Sequence, residues 1–184
     1  MKPTLFWLAF SAALLAIPSP ALHAQAAPTG PVSGLSTQVA TACLPATTPE
    51  ELIVALDAAI SGPVGKDRAC FRALMMPGAT LNPIAKSPEG GYAPHVLSVD
   101  AWIEAVQKRQ GEVYEHQVKI ETQIYGHIAH LWSTYELSLA ADQKPTIRGI
   151  NSIQAVQDGK TWKVFEILWQ AETPDQPLPA KYLP

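Results

Sequence analysis

The spacing of apolar residues changes once along this chain, from a helical period before residue 111 to strict alternation after it. Thr48 stands where a capping side chain would, Pro49 follows at the first helical position, and Glu51 lies three residues on. Leu52, Leu56, Ala59 and Ile60 then share one face until Gly62-Pro63, which predicts an amphipathic helix. A second, shorter helix is expected over about 66–76, with Phe71, Leu74 and Met75 inward, ending at Pro77-Gly78. Residues 77–97 carry Pro83, Pro88, Gly90, Gly91 and Pro94 and read as an irregular connection. Ser98 caps a third helix, with Leu97 and Trp102 at the positions of a hydrophobic staple, and that helix should end by Gly111.

From Glu112 the period is two. Tyr114, His116, Val118, Ile120, Thr122 and Ile124 alternate with Glu115, Gln117, Lys119, Glu121 and Gln123, so the first set is expected to be packed and the second wet. Gly126-His127 turns the chain into a second strand over 128–140. A turn at 142–145 leads to a third strand over 146–157, and Asp158-Gly159 is a hairpin signal before a fourth over 161–171. Three helices followed by four long antiparallel strands imply an α+β domain whose sheet bends over the helices.

The two ends stand outside this unit. Lys2, an apolar run over 5–17, Pro18 and Pro20, and then Ala21, Ala24 and Ala26 follow the order of a signal peptide over 1–26, cleaved after Ala26 or after Ala24. That run is too short to span a membrane, and no later segment qualifies, so no membrane span is expected once the signal is removed. The chain is expected to be exported, periplasmic or secreted. Residues 27–47 read as a flexible leader, 48–172 as the domain, and 173–184 as a Pro-rich tail able to dock through Leu178, Tyr182 and Leu183. Cys43 and Cys70 are the only cysteines in a chain bound for an oxidising compartment, and a disulfide between them is expected over the alternative of two buried thiols.

Composition narrows the partners. Of 184 residues, 47% are hydrophobic and 16% charged, and the net charge is -3, so the chain has enough apolar surface for a core and no basic field to gather phosphates. Nucleic acid is therefore not an expected partner.

The helix-then-strand order, with Val99-Asp100-Ala101-Trp102-Ile103, Trp132-Ser133-Thr134-Tyr135-Glu136, Arg148-Gly149-Ile150-Asn151-Ser152-Ile153-Gln154 and the run from Trp162 to Gln170, resembles the NTF2-like (SnoaL-like) superfamily, in its exported bacterial branch. The resemblance implies a cone of strongly curved sheet closed by helices, able to host isomerases, dehydratases, hydrolases, cyclases or non-catalytic binding modules. It also implies sheets paired back to back in a homodimer. On the last strand Phe165, Ile167 and Trp169 share one face, and that row is the expected dimer contact.

Candidate chemistry lies inside the expected cone. His116, on the presumed packed face, is a candidate general acid or base, against the plainer reading of a satisfied core histidine. Glu166, on the face shared by Trp162, Val164, Leu168 and Gln170, becomes a carboxyl in an apolar cavity if that face is inward, and a surface acid otherwise. Trp102 and Tyr135 complete the expected ligand-binding set with His116 and Glu166. Asn151 and Gln154 fall on opposite faces of their strand, and no Asp lies within any of the four strands, which disfavours the isomerase chemistry of the superfamily. His127-x-x-His130 puts its rings on opposite faces of an extended segment, so no metal is expected, and the motifs of common cofactor sites are absent. The function expected is binding of a small, mainly apolar molecule in the cone. The alternatives are a cofactor-independent isomerase, dehydratase or hydrolase using His116 or Glu166, or an interaction module acting through the sheet.

Overall fold

Helix α1 (Pro49–Ile60) starts where its signals stand: Thr48 Oγ1 accepts the Glu51 amide at 3.1 Å, and Glu51 Oε2 accepts the Thr47 amide at 2.7 Å. The structure is a computed structural model and describes residues 42–109 and 111–184; the expected signal peptide and most of the leader lie outside the described residues. The other end of α1 is closed by two returning cations. Lys66 Nζ donates to the Ala58 and Ser61 carbonyls at 2.6 and 2.7 Å, and Arg68 Nη1 donates to those of Ala59 and Ile60, both at 2.6 Å. Positive charge there satisfies carbonyls that the helix leaves unpaired and opposes its dipole.

The second helix is shorter than its pattern, and the connection after it is not irregular. Helix α2 (Ala69–Ala73) gives way at once to strand β1 (Met75–Lys86), followed by β2 (Tyr92–Pro94) and β3 (Leu97–Ser98), which both pair back onto β1. The Pro and Gly residues that argued against a strand are absorbed by its geometry. The register of β1 shifts between Met75 and Thr80, where Pro77 and Gly78 sit, and Gly78 takes a φ of 81°. Ser98 then caps helix α3 (Val99–Gln107), its hydroxyl accepting the Ala101 amide at 3.2 Å.

Strands β4 (Tyr114–Tyr125), β5 (Ile128–Ser138), β6 (Ile147–Asp158) and β7 (Thr161–Ala171) follow close to their expected spans as an antiparallel meander. The sheet they enter is larger than four strands: seven strands, curved and mixed, in the order β2-β1-β7-β6-β5-β4, with β3 beside β1 and the β1–β7 pair parallel. Leu52, Phe71, Leu81, Leu131, Ile153 and Val164 fill the space between helices and sheet. A Cys43–Cys70 disulfide, with Cα atoms 5.3 Å apart, ties the segment before α1 to α2, and the Ala46 carbonyl accepts the Trp162 amide at 2.6 Å.

Two β-bulges decide which side chains enter the cone. In β4 the register shifts between Gln117 and Lys119, leaving Val118 as the extra residue. Glu115 and Gln117 stand opposite Leu137 and Tyr135 on the inner face, and beyond the bulge Ile120, Thr122 and Ile124 take over that face. In β7 the shift leaves Phe165 extra, so Trp162 and Val164 point inward before it and Ile167 and Trp169 after it. The expected dimer row therefore does not exist as one face. Phe165 is exposed, Ile167 is buried in the core, and Trp169 lines the cone.

The tail covers the face turned away from the helices. Leu178 N donates to Glu172 Oε2 at 3.1 Å, Thr134 Oγ1 and Lys119 Nζ donate to the Tyr182 and Lys181 carbonyls at 2.6 and 2.7 Å, and the Tyr182 ring lies 5.8 Å from that of Trp132. Among the described residues, no helix is long and apolar enough to cross a membrane.

Candidate functional site

Between the helices and the inner face of the sheet lies a cavity of about 260 Å³. Its wall is apolar on most sides, with Phe71, Trp102, Leu81, Ile167 and Trp169 among the lining residues. Trp102 is held by stacking on Phe71, ring centroids 4.2 Å apart. Four polar side chains enter the lining: Arg109 just after α3, Glu115 from β4, Tyr135 from β5 and Asn151 from β6.

Behind the lining is a hydrogen-bonded network centred on Gln117. Its amide N–H and its Nε2 donate to the two oxygens of Asp57, on α1, at 3.0 and 2.9 Å, and Nε2 also donates to Glu115 Oε1 at 3.1 Å. Ser133 Oγ donates to Gln117 Oε1 at 2.5 Å, and Asn151 Nδ2 reaches Glu115 Oε1 at 3.2 Å. One amide side chain thus bridges two carboxyls in a low-dielectric interior, where burial acts on both and Glu115 also feels the Asp57 charge.

The electrostatic consequences fall mainly on Glu115. Burial, reinforced by the Asp57 charge, pushes its carboxyl up to about 7, against the pull of the Asn151 and Gln117 hydrogen bonds and the Arg109 charge. Burial also raises Asp57, where the two Gln117 donors and the charge of His116 oppose it. Tyr135 is raised well above an ordinary phenol, first by burial and then by Glu115, so it stays protonated at any physiological pH. No group among the described residues accepts a hydrogen bond from its hydroxyl. Close packing of that ring depends on Gly149: a Cβ there would collide with the Gln170 carbonyl and come within 2.7 Å of Tyr135 Oη.

Of the expected site residues, Trp102 and Tyr135 reach the cavity, whereas His116 and Glu166 do not. His116 projects from the other face of β4, with over half of its side chain exposed, 3.5 Å from Glu136. Glu166 lies on the outer face of β7 and accepts a hydrogen bond from Asn82 Nδ2 at 3.0 Å. Both miss the cone for one reason: simple alternation does not hold across the bulge in each strand. Asn151 is inward and Gln154 outward, opposite Glu166. His127 and His130 take separate partners, Gln157 Oε1 at 3.0 Å and Ser152 Oγ at 3.1 Å, and no group of metal-ligating side chains occurs among the described residues.

Sequence reasoning missed Glu115, Gln117, Asp57 and Arg109. Asp57 had a readable signal, an acid one turn after Ile53 beside the apolar face of α1. The other three had none, because charged and amide residues on an alternating strand or just after a helix ordinarily face water.

No family model and no curated protein sequence matches the chain. Solved structures do match. One is a function-unknown protein from Mycobacterium tuberculosis, with a TM-score of 0.53 and 12% identity over 71% of this chain and 75% of that one. Another is a protein of unknown function with a cystatin-like fold from Nostoc punctiforme, with a TM-score of 0.52 and 12% identity over 71% of this chain and 92% of that one. An NTF2-like protein of unknown function from Shewanella baltica matches at a TM-score of 0.47 and 10% identity, over 67% and 90% of the two chains. The chain shares its fold with the first two of these, the second of which is described as cystatin-like.

Proposed function

We propose that the cone binds one small, mainly apolar molecule, oriented by a few polar groups. The observation that carries this reading is the cavity, apolar on most of its wall with Arg109, Glu115, Tyr135 and Asn151 as its polar members, an arrangement usual for binding sites. Native mass spectrometry of protein purified from its own compartment should find a retained molecule that is lost when Ile167→Trp fills the cavity. Protein that arrives empty and takes up no small apolar probe saturably would refute the reading.

A second reading is cofactor-independent proton transfer, as in an isomerase or dehydratase, with Glu115 in the role that the strand pattern assigns to His116 and Glu166. It is favoured by a carboxyl held near neutrality beside a phenol that keeps its proton. Ionised Glu115 would take a proton from a carbon next to a carbonyl, the electron pair would move onto the carbonyl oxygen, and the Tyr135 hydroxyl would donate to that oxygen until Glu115 returned the proton. Glu115→Gln separates the two readings. Binding alone leaves no rate to lose, whereas catalysis should fall by about 10²-fold or more with the ligand still bound.

Export over the signal at 1–26 is part of the same proposal. It is supported by the Cys43–Cys70 disulfide, which belongs to an oxidising compartment. Amino-terminal sequencing of exported protein should begin between Gln25 and Pro28. A homodimer, which the resemblance implies, would have to use a face other than the outer sheet or displace the tail that lies on it.

A further inference from the structure

The polar groups of the cavity are unequal in charge, and that inequality bears on the kind of molecule it takes. Arg109 is the one permanent charge in the lining; it sits in the turn after α3, its amide donating to the Val106 carbonyl at 3.2 Å, so helix α3 fixes where its side chain starts. No carboxylate among the described residues pairs with its guanidinium. The lining's sole carboxyl, Glu115, is engaged through Oε1 by Gln117 and Asn151. The Tyr135 hydroxyl, on a residue only 4% exposed, has no acceptor among the described residues and can act toward a ligand as a donor.

Resting on the binding reading above, we infer that the ligand is a small apolar acid, its carboxylate received by Arg109 and the Tyr135 hydroxyl and its apolar body lying against Trp102, Ile167 and Trp169. A guanidinium offers a planar fork that matches a carboxylate, and the phenol supplies a further donor. An amine would be repelled by Arg109. A neutral molecule would leave its charge unused. Glu115 adds to the preference when protonated, since it then donates rather than repels, and burial keeps it protonated below about pH 7.

The test uses two probes with the same apolar body, 2-naphthoate and 2-naphthamide, titrated by calorimetry at pH 6 into the full mature protein with its disulfide intact. Naphthoate should bind at least tenfold more tightly than naphthamide. Arg109→Gln should abolish that preference by weakening naphthoate, and Arg109→Lys, which keeps the charge but not the fork, should restore part of it. Arg109 is exposed, so neither change threatens the fold. Equal affinity of the two probes for the unaltered protein, or a preference that survives Arg109→Gln, overturns the acid inference and leaves the binding cone standing. Saturable binding of neither probe overturns both.

Discussion

Replacing Glu115 by Gln should make the protein relatively more stable as pH rises, because the carboxyl is held in its folded position against its tendency to ionise. Glutamine keeps the shape and can still accept from Gln117 and Asn151 through its Oε1. The folded pKa is raised, from 4.5 to about 7. Below 4.5 both folded and unfolded chains carry the proton, and this group has no effect on the pH dependence. Between 4.5 and about 7 the unfolded chain releases the proton while the folded chain keeps it, so stability falls with pH at up to about 1.4 kcal/mol per pH unit. Above 7 both are ionised and the loss is complete, at about 3 kcal/mol, or roughly 10 °C in Tm for a unit of this size. Asp57 is present in both proteins and drops out of the difference to first order. Urea unfolding of wild type and Glu115→Gln, disulfide intact, at pH 4.5, 5.5, 6.5 and 7.5 reads this directly. The variant should gain about 3 kcal/mol over wild type across the series. A difference that stays constant within about 0.5 kcal/mol would mean that the Glu115 carboxyl is solvated, and the electrostatic account of the site would be wrong.

Three further outcomes follow from the geometry. Gly149→Ala should cost about 1–3 kcal/mol and displace the Tyr135 ring, because its new methyl meets backbone on one side and Oη on the other; an unchanged urea midpoint with ligand uptake intact would contradict this. Reducing Cys43–Cys70 should cost at most about 3–4 kcal/mol for a loop of this length in the chain-entropy model, measured by unfolding with and without reductant, and two reactive thiols in denatured, unreduced protein would disprove the bridge. Truncation after Glu172 uncovers Trp132, Ile150 and Leu168, so sedimentation should show mass rising with concentration and a hydrophobic dye should bind, whereas unchanged behaviour in both would show that the tail does not shield that face.

Much of the fold is written locally. The cap of α1 at Thr48, the cap of α3 at Ser98 and the turns at Gly126 and Asp158-Gly159 each depend on residues within four positions of one another, and each appears where the sequence places it. The disulfide was legible for a different reason: the sequence holds two cysteines, and in a chain expected to be exported they have one pairing to make. Strand β1 was not legible, because it is held by a parallel pairing to β7 some 85 residues away, which overrides the local preference of Pro77, Gly78 and Pro83 for irregular backbone.

The site was decided by tertiary structure alone. Alternation tells which residues share a face only while the ladder is unbroken, and a single extra residue exchanges the two faces for the rest of the strand. The bulge at Val118 brings Glu115 and Gln117 inward and leaves His116 beside Glu136, and the bulge at Phe165 leaves Glu166 beside Asn82 and sends Trp169 to the cavity. Neither bulge is marked by glycine or proline. Nothing near either residue announces it, because a bulge answers to the curvature of the whole sheet around its helices, and that curvature exists only once β1, β7 and the long meander have closed on one core.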